Sequence, residues 1–310
     1  MKKISIVTPC FNEEDNVSEL IDRVRVVMAN ELSQYDYEHI FIDNASVDKT
    51  VEILKKYAAT DKKIKIIINS RNFGHIRSPA YGFLEAKGDI VISLVADLQD
   101  PPELVPKLIE KLEQGNDMVL AIRKSSEEGF VMYKIRELYY GLLQKLSDVK
   151  IYKNYAGFGV YNKKVMDALR KFNDPYPFLR GMIGEIGYKV ETMEYDQPVR
   201  IHGVTKNNFY TLYDLGILGI INYSKVPLRL AIFSSMIIGM VSILTGVTYL
   251  IMKLLYWDTM SLGIAPLLIG ASFSFAILLF FIGILGEYIG MIYTQMQSRP
   301  LVFEDERINF

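Results

Sequence analysis

A chain of 310 residues with 35 basic and 36 acidic side chains is almost neutral, which excludes the clustered basic surplus of a nucleic-acid-binding protein. The single cysteine, Cys10, excludes an intramolecular disulfide, and three histidines are too few for a zinc cluster of the usual spacing. Between Leu230 and Gly286 only Lys253 and Asp258 are charged, and that segregation excludes a wholly soluble enzyme, a disordered protein and a coiled coil.

In chain order, the first half alternates two kinds of segment. Ile4 to Thr8, His39 to Ile42, Ile64 to Ile68, Ile90 to Val95 and Met118 to Ile122 are short β-branched runs of the type that forms buried strands. The first is too short to be a signal-peptide core. Between the runs lie helical patterns such as Val17, Leu20, Ile21 and Val24, or Val51, Leu54 and Tyr57. Alternating strand and helix predict an α/β fold with a mostly parallel sheet, in which ligands sit beyond the carboxyl ends of the strands.

The residues at those ends are polar. Strand one runs into Pro9-Cys10-Phe11-Asn12-Glu13, strand two into Asp43-Asn44-Ala45-Ser46, strand four into Asp97-Leu98-Gln99-Asp100 and strand five into Arg123-Lys124. Glu13, Asp43, Asp97 and Arg123 are therefore expected on one rim. Neither a GxGxxG turn after strand one nor a P-loop is present. Asp97 and Gln99 offer hard oxygen ligands of the kind Mg2+ or Mn2+ takes together with substrate phosphates. Asp48 and Asp100 precede helical patterns and are expected to be helix caps.

Phe209, Tyr210, Leu212 and Tyr213 open a nearly uncharged stretch that predicts interfacial helices over 207–229, the alternative being a core helix of the soluble domain. Leu230 to Met252 and Leu262 to Gly286 are each long enough to cross about 30 Å of hydrocarbon, and predict a transmembrane hairpin over 230–290. Arg200, Lys206, Lys225, Arg229, Arg299 and Arg307 flank it against one lysine in the connecting linker, placing both termini, and the tail 291–310, in the cytoplasm. Glu287 falls at the end of the second span. Gly239, Gly246, Gly283, Gly286 and Gly290 permit close helix contact and allow a homo-oligomer. Two spans without an internal charge disfavour a transporter.

The runs TPCFNEEDNV (8–17), FIDNASVDKT (41–50), SRNFGH (70–75), ADLQDPPELV (96–105), FLRG (178–181) and GVTK (203–206), followed by two spans, resemble inverting family 2 glycosyltransferases of the polyprenyl-phosphate type. That group includes dolichol-phosphate mannose synthases and bactoprenol-phosphate glucosyltransferases. The resemblance implies a nucleotide-diphospho-sugar transferase (GT-A) domain over 1–206, which moves sugar from a nucleotide-diphosphate sugar to undecaprenyl or dolichyl phosphate at the cytoplasmic membrane face. It implies that Pro9, Phe11 and Glu13 surround base and ribose and that Asp43 is the first acid of a DDGS-type turn. It also implies that Asp97 and Gln99 meet metal and diphosphate, and that Arg123 faces phosphate. With Arg136, Arg180 or Lys206, Arg123 would hold the acceptor phosphate; Lys206 is equally readable as a membrane-surface lysine.

Three departures from that pattern stand out. Val95 replaces an acid of a DxD pair, Asn44 replaces the second acid of the turn, and Gly157 stands where many relatives carry a candidate catalytic Asp, with Gly159 in place of an Arg. The departures raise the alternative of an inactive, membrane-tethered binder of sugar nucleotide or lipid phosphate. A processive polysaccharide synthase is disfavoured, because a QxxRW motif is lacking and the one tryptophan, Trp257, lies between the spans.

Overall fold

The computed structural model describes residues 1–124, 141, 144, 147, 149–198, 218–219, 221–256 and 263–310. Arg136, Lys206 and Trp257 lie outside them. Five parallel-sheet strands appear where the β-branched runs predict them: β1 (Lys3–Cys10), β2 (Asp36–Asp43), β3 (Ile64–Asn69), β4 (Ile90–Ser93) and β5 (Met118–Arg123). They are joined by α1 (Val17–Asn30), α2 (Thr50–Thr60), α3 (Gly74–Glu85) and, after a 3-10 turn at Pro102–Leu104, α4 (Val105–Glu113). Next come β6 (Tyr155–Asn162), α5 (Lys163–Leu169), α6 (Leu179–Glu185) and β7 (Val190–Tyr195). Two long helices, α7 (Val226–Leu255) and α8 (Ile264–Met296), precede β8 (Glu304–Ile308).

One eight-stranded sheet of order β7-β5-β6-β4-β1-β2-β3-β8 results. β6 and β8 run antiparallel to their neighbours, and the other pairings are parallel. The period-2 alternation of strand side chains divides the core in two. Ile4, Ile6, Phe41, Ile64 and Ile66 pack with the apolar stripes of α1 (Leu20, Ile21, Val24) and α4 (Leu108, Ile109). Val7, Ile40, Ile42 and Ile67 face the other way, onto Phe83 of α3 and Met166 of α5. Chain order reverses at β1, which has β2 on one side and β4 on the other. That reversal opens a crevice at the strands' carboxyl ends.

α7 and α8 are longer than the expected spans, the second continuing past Glu287 to Met296. Both are long and apolar enough to cross a membrane, and none of their most apolar windows is buried in the chain. Gly239, Gly246, Gly283, Gly286 and Gly290 have nothing within 4 Å of where a Cβ would stand, so these faces are not what joins the two helices to each other.

The tail does not trail away. After α8 it returns to the sheet as β8, antiparallel to β3, with Ser70 donating to the Phe303 carbonyl at 2.9 Å and Arg307 paired with Glu85 at 2.9 Å. Of the segment expected to lie in the interface, Leu218 is buried among Ile76, Ile151 and Phe178, with Tyr223 and Met291 of α8 against the same cluster. Tyr288 of α8 donates to the Ser224 carbonyl at 2.7 Å. Residues 207–217 lie outside the described set.

The FLRG run has a packing reason at this junction. A Cβ on Gly181 would fall 2.1 Å from a ring carbon of Tyr223, which is itself wedged in the cluster beside Phe178. Gly181→Ala should therefore push α6 away from the root of the first apolar helix. Overpacking of this kind costs about 1–3 kcal/mol, so the detergent-solubilised full chain should melt several degrees lower, while an alanine at Gly239, where space is open, should leave the melting point in place.

Candidate active site

The crevice is built from loops that complete one another's hydrogen bonding. The Cys10 and Asp43 ends of β1 and β2 are in register, and the loops beyond them interlock. The Asn12 amide donates to Ser46 Oγ at 2.8 Å, while Asn12 Oδ1 accepts from the Val47 amide at 2.9 Å. The Glu13 amide donates to Thr50 Oγ1 at 2.8 Å, and the Glu14 amide to Asp48 Oδ2 at 3.2 Å. Asp48 also accepts from the Thr50 amide at 3.0 Å, but Lys49 holds the position before α2, so Asp48 stands one residue ahead of the expected cap. Asn12, Ala45 and Leu98 hold φ of 55°, 62° and 60°. Such left-handed backbone at non-glycine residues is uphill and persists only where surrounding bonds over-determine it.

Asp43, fully buried, accepts from the Ser46 amide at 2.9 Å and from its hydroxyl. Burial pushes its carboxyl up, and the Ser46 bonds oppose that shift. Cys10 alongside is pushed well up by burial first and by the Asp43 charge second, which makes it a neutral packing residue. A cleft of about 310 Å³ is lined by Pro9, Phe11, Glu13, Asn44, Asn72, His75, Ser78 and Pro79. Beyond the SRNFGH run, the sequence carries no signal for the α3 contribution.

Asn44 explains its own departure from an acid. Its Nδ2 donates to Asn72 Oδ1 at 2.9 Å and to the Gly74 carbonyl at 3.2 Å, while its Oδ1 accepts from the Phe73 amide at 2.8 Å and Asn69 Nδ2 at 3.2 Å. Only an amide both donates and accepts here. The residue thereby fixes the β3–α3 loop to the end of β2.

Beyond β4, Leu98 turns the chain between Asp97 and Gln99, with the Gln99 amide donating to Asp97 Oδ1 at 3.2 Å. Asp97 is 8 % exposed and Gln99 half-buried. Asp100 corrects an expectation: it is not a helix cap. It is turned into the protein, 1 % exposed, where it accepts from the Tyr195 hydroxyl at 2.7 Å and lies 3.9 Å from Arg123 Nη2. Pro101 takes the position before the 3-10 turn instead. Burial raises the Asp100 carboxyl to about 6, against the bond from Tyr195 and the charge of Arg123. Arg123 Nε donates to the same Tyr195 oxygen at 3.3 Å. Tyr195, in register with Arg123 across β5 and β7, is a site residue the sequence did not single out, because β7 lacks a strong strand signature.

β6 runs back toward the same rim, Tyr155 opposite Ile122. Arg180 of α6 lies close enough for its charge to act on the Tyr155 phenol, whose pKa burial nevertheless raises. The same phenol feels the charge of Asp100, the partner of Arg123. Gly157 has φ 120°, and among the described residues no atom comes within 4 Å of where its Cβ would stand. At Gly159 a Cβ would meet the Val119 carbonyl at 2.8 Å, which bars an arginine from the position without a shift of the strands.

Among the described residues no three His, Cys, Asp or Glu side chains cluster as a ready metal site. One carboxylate and one amide oxygen suit a hard divalent ion that takes its remaining ligands from water and substrate phosphates. Asp97 and Gln99 are such a pair.

Asn44→Asp sets carboxylate oxygens against Asn72 Oδ1 and the Gly74 carbonyl and should destabilise the chain by roughly 1–3 kcal/mol, read by thermal or chemical denaturation. Asp100 binds its proton more tightly folded than unfolded, so its contribution to stability is largest at low pH and is lost as pH rises from 3.8 to about 6. Asp100→Asn should flatten that fall in a stability-versus-pH series, and an unchanged slope would contradict the assignment.

Residues 5–170 match the family model described as Glycosyl transferase family 2. The uncharacterized glycosyltransferase YkcC of Bacillus subtilis (strain 168) is 34 % identical, the alignment covering 96 % of this chain and 91 % of YkcC. The SfII prophage-derived bactoprenol glucosyl transferase of Shigella flexneri is also 34 % identical, over 96 % of each chain. Among solved structures, glucosyl-3-phosphoglycerate synthase from Mycobacterium tuberculosis in complex with Mn2+, uridine-diphosphate and phosphoglyceric acid aligns at 20 % identity and TM-score 0.48, over 71 % of this chain and 76 % of that one. With a mixed, mostly parallel sheet of GT-A type and a polar crevice at its switch point, the chain belongs to glycosyl transferase family 2.

Proposed function

We propose that this glycosyltransferase moves a sugar, with inversion, from a nucleotide-diphosphate sugar to a polyprenyl phosphate in the membrane. The observation that carries the reading is the return of the chain to the catalytic sheet as β8 directly after α8. Both ends of the apolar hairpin are then tethered to the domain that bears the crevice, which suits an acceptor whose tail stays in the bilayer. Exposing that tail to water would cost about 0.8 kcal/mol per CH2. Full-length similarity to a bactoprenol glucosyl transferase supports the acceptor class, and the flanking arginines and lysines support a cytoplasmic catalytic domain.

In this reading Pro9, Phe11, Glu13 and the α3 residues hold the nucleoside in the cleft. Asp97 and Gln99 would hold a divalent ion, which supplies charge neutralisation of the departing diphosphate. Arg123, steadied by Asp100 and Tyr195, and Arg180 orient the acceptor phosphate, with Arg136 and Lys206 as further candidates. A phosphate oxygen attacks the anomeric carbon as the bond to the diphosphate oxygen breaks, and the electron pair leaves with the nucleoside diphosphate. Phosphate monoesters have a second pKa near ~6 and present an anionic oxygen at neutral pH, so no proton need be removed. The open place at Gly157 is consistent with that. In-line positioning is worth roughly 7–11 kcal/mol.

Gly157 and Val95 also motivate a second reading, a binder without turnover. Release of nucleoside diphosphate when polyprenyl phosphate is added to the full chain with donor separates the two. Asp97→Ala should lower transfer of labelled sugar into the organic phase by ~100-fold or more; undiminished transfer would remove the ion from the mechanism.

A further inference from the structure

At the start of α3, on the side where the chain leaves the second apolar helix, three arginines gather without counter-charge from the described residues. Arg71 and Arg77 both stack on Phe73, their guanidinium carbons 4.1 and 5.3 Å from the ring centroid. Arg77 Nη2 donates to the Pro300 carbonyl at 2.7 Å, while its Nε is buried with no hydrogen-bond partner. Arg299 precedes that proline, three residues beyond the end of α8. The Ser70 amide, bonded to the Phe303 carbonyl, fixes the Arg71 loop to the same segment. Burial, and then the charges of Arg71 and Arg299, push the Arg77 pKa down, with the Tyr176 phenol opposing them. Like charges held this close are unfavourable unless an anion joins them.

Nearby carboxylates do not serve. Glu304 accepts from Tyr81 and pairs with Arg307, Glu85 pairs with Arg307, and Glu306 with Lys55. None of the three arginines forms an ion pair with a described residue. Arg71 and Arg299 are exposed and Arg77 is half-buried. Arg299 follows α8, a helix long and apolar enough to cross a membrane, and near a membrane surface each Lys or Arg contributes about 1 kcal/mol of attraction to anionic lipid.

We propose that Arg71, Arg77 and Arg299 form a binding site for anionic phospholipid headgroups of the leaflet, separate from the acceptor site beside Arg123. The site rests on the membrane reading of α7 and α8. By gripping the leaflet at the N-terminus of α3, it would set the height and tilt of the nucleotide cleft, to which Asn72, Gly74 and His75 of the same segment contribute.

The test is hydrogen exchange of the full detergent-solubilised chain over residues 70–78 and 297–303, titrated with short-chain phosphatidylglycerol, short-chain phosphatidylcholine or inorganic phosphate. Phosphatidylglycerol alone should slow exchange in both segments, and Arg71→Gln with Arg299→Gln should raise the half-effect concentration ~10-fold or more. Both substituted side chains are exposed and outside the core, so the double variant should keep the wild-type melting point. Equal protection by phosphatidylcholine or by inorganic phosphate, or an unshifted titration in the double variant, would overturn the proposal. Resistance of membrane-expressed protein to alkaline extraction reads the hairpin independently. Extraction would overturn the membrane reading, whereas a resistant protein without lipid-dependent protection would overturn the headgroup site alone.

Discussion

Everything at the crevice depends on backbone groups that have left the sheet and must find partners outside it. The loops after β1 and β2 solve this for each other: Asn12 with Ser46 and Val47, Glu13 with Thr50, Glu14 with Asp48. Neither loop could hold its left-handed residue alone. Side chains in this region that look like chemistry are therefore partly architecture. Asp43 is the clearest instance, since both its oxygens are occupied by Ser46.

The same constraint extends across the rim. Asn44 pins the β3–α3 loop, which lines the cleft, and Asp100 with Tyr195 pins Arg123. Each case joins the end of one strand to a segment distant in sequence, so hydrogen bonds cross-link the loops around the crevice. Asp100 is the buried anchor of this arrangement: burial pushes its carboxyl up to about 6, which ties the posture of Arg123 to its protonation.

A second constraint ties the crevice to the apolar helices. β8 brings the chain back to β3, Arg77 reaches the Pro300 carbonyl, and Ile76, Phe178, Leu218 and Tyr223 pack with Met291 of α8. Gly181 is small because the Tyr223 ring occupies the space its side chain would need. The hairpin is thus bonded at both ends to the domain it would anchor, and α3 carries residues of the cleft on one side and of this junction on the other.

The sequence by itself determined the alternation of strand and helix and the two apolar helices, because these depend on local periodicity, and it marked the polar residues just past each strand's carboxyl end as the place for a crevice. It misjudged Asp100, for which the local signal, an acid before Pro-Pro and a helix, is that of a cap. Only the tertiary structure decided that Asp100 faces Tyr195 and Arg123, that Asn44 needs both halves of an amide, and that the last residues complete the sheet. Those facts are contacts between residues 28 to about 250 positions apart, and no pattern within one segment encodes which distant partner will fill a donor or an edge.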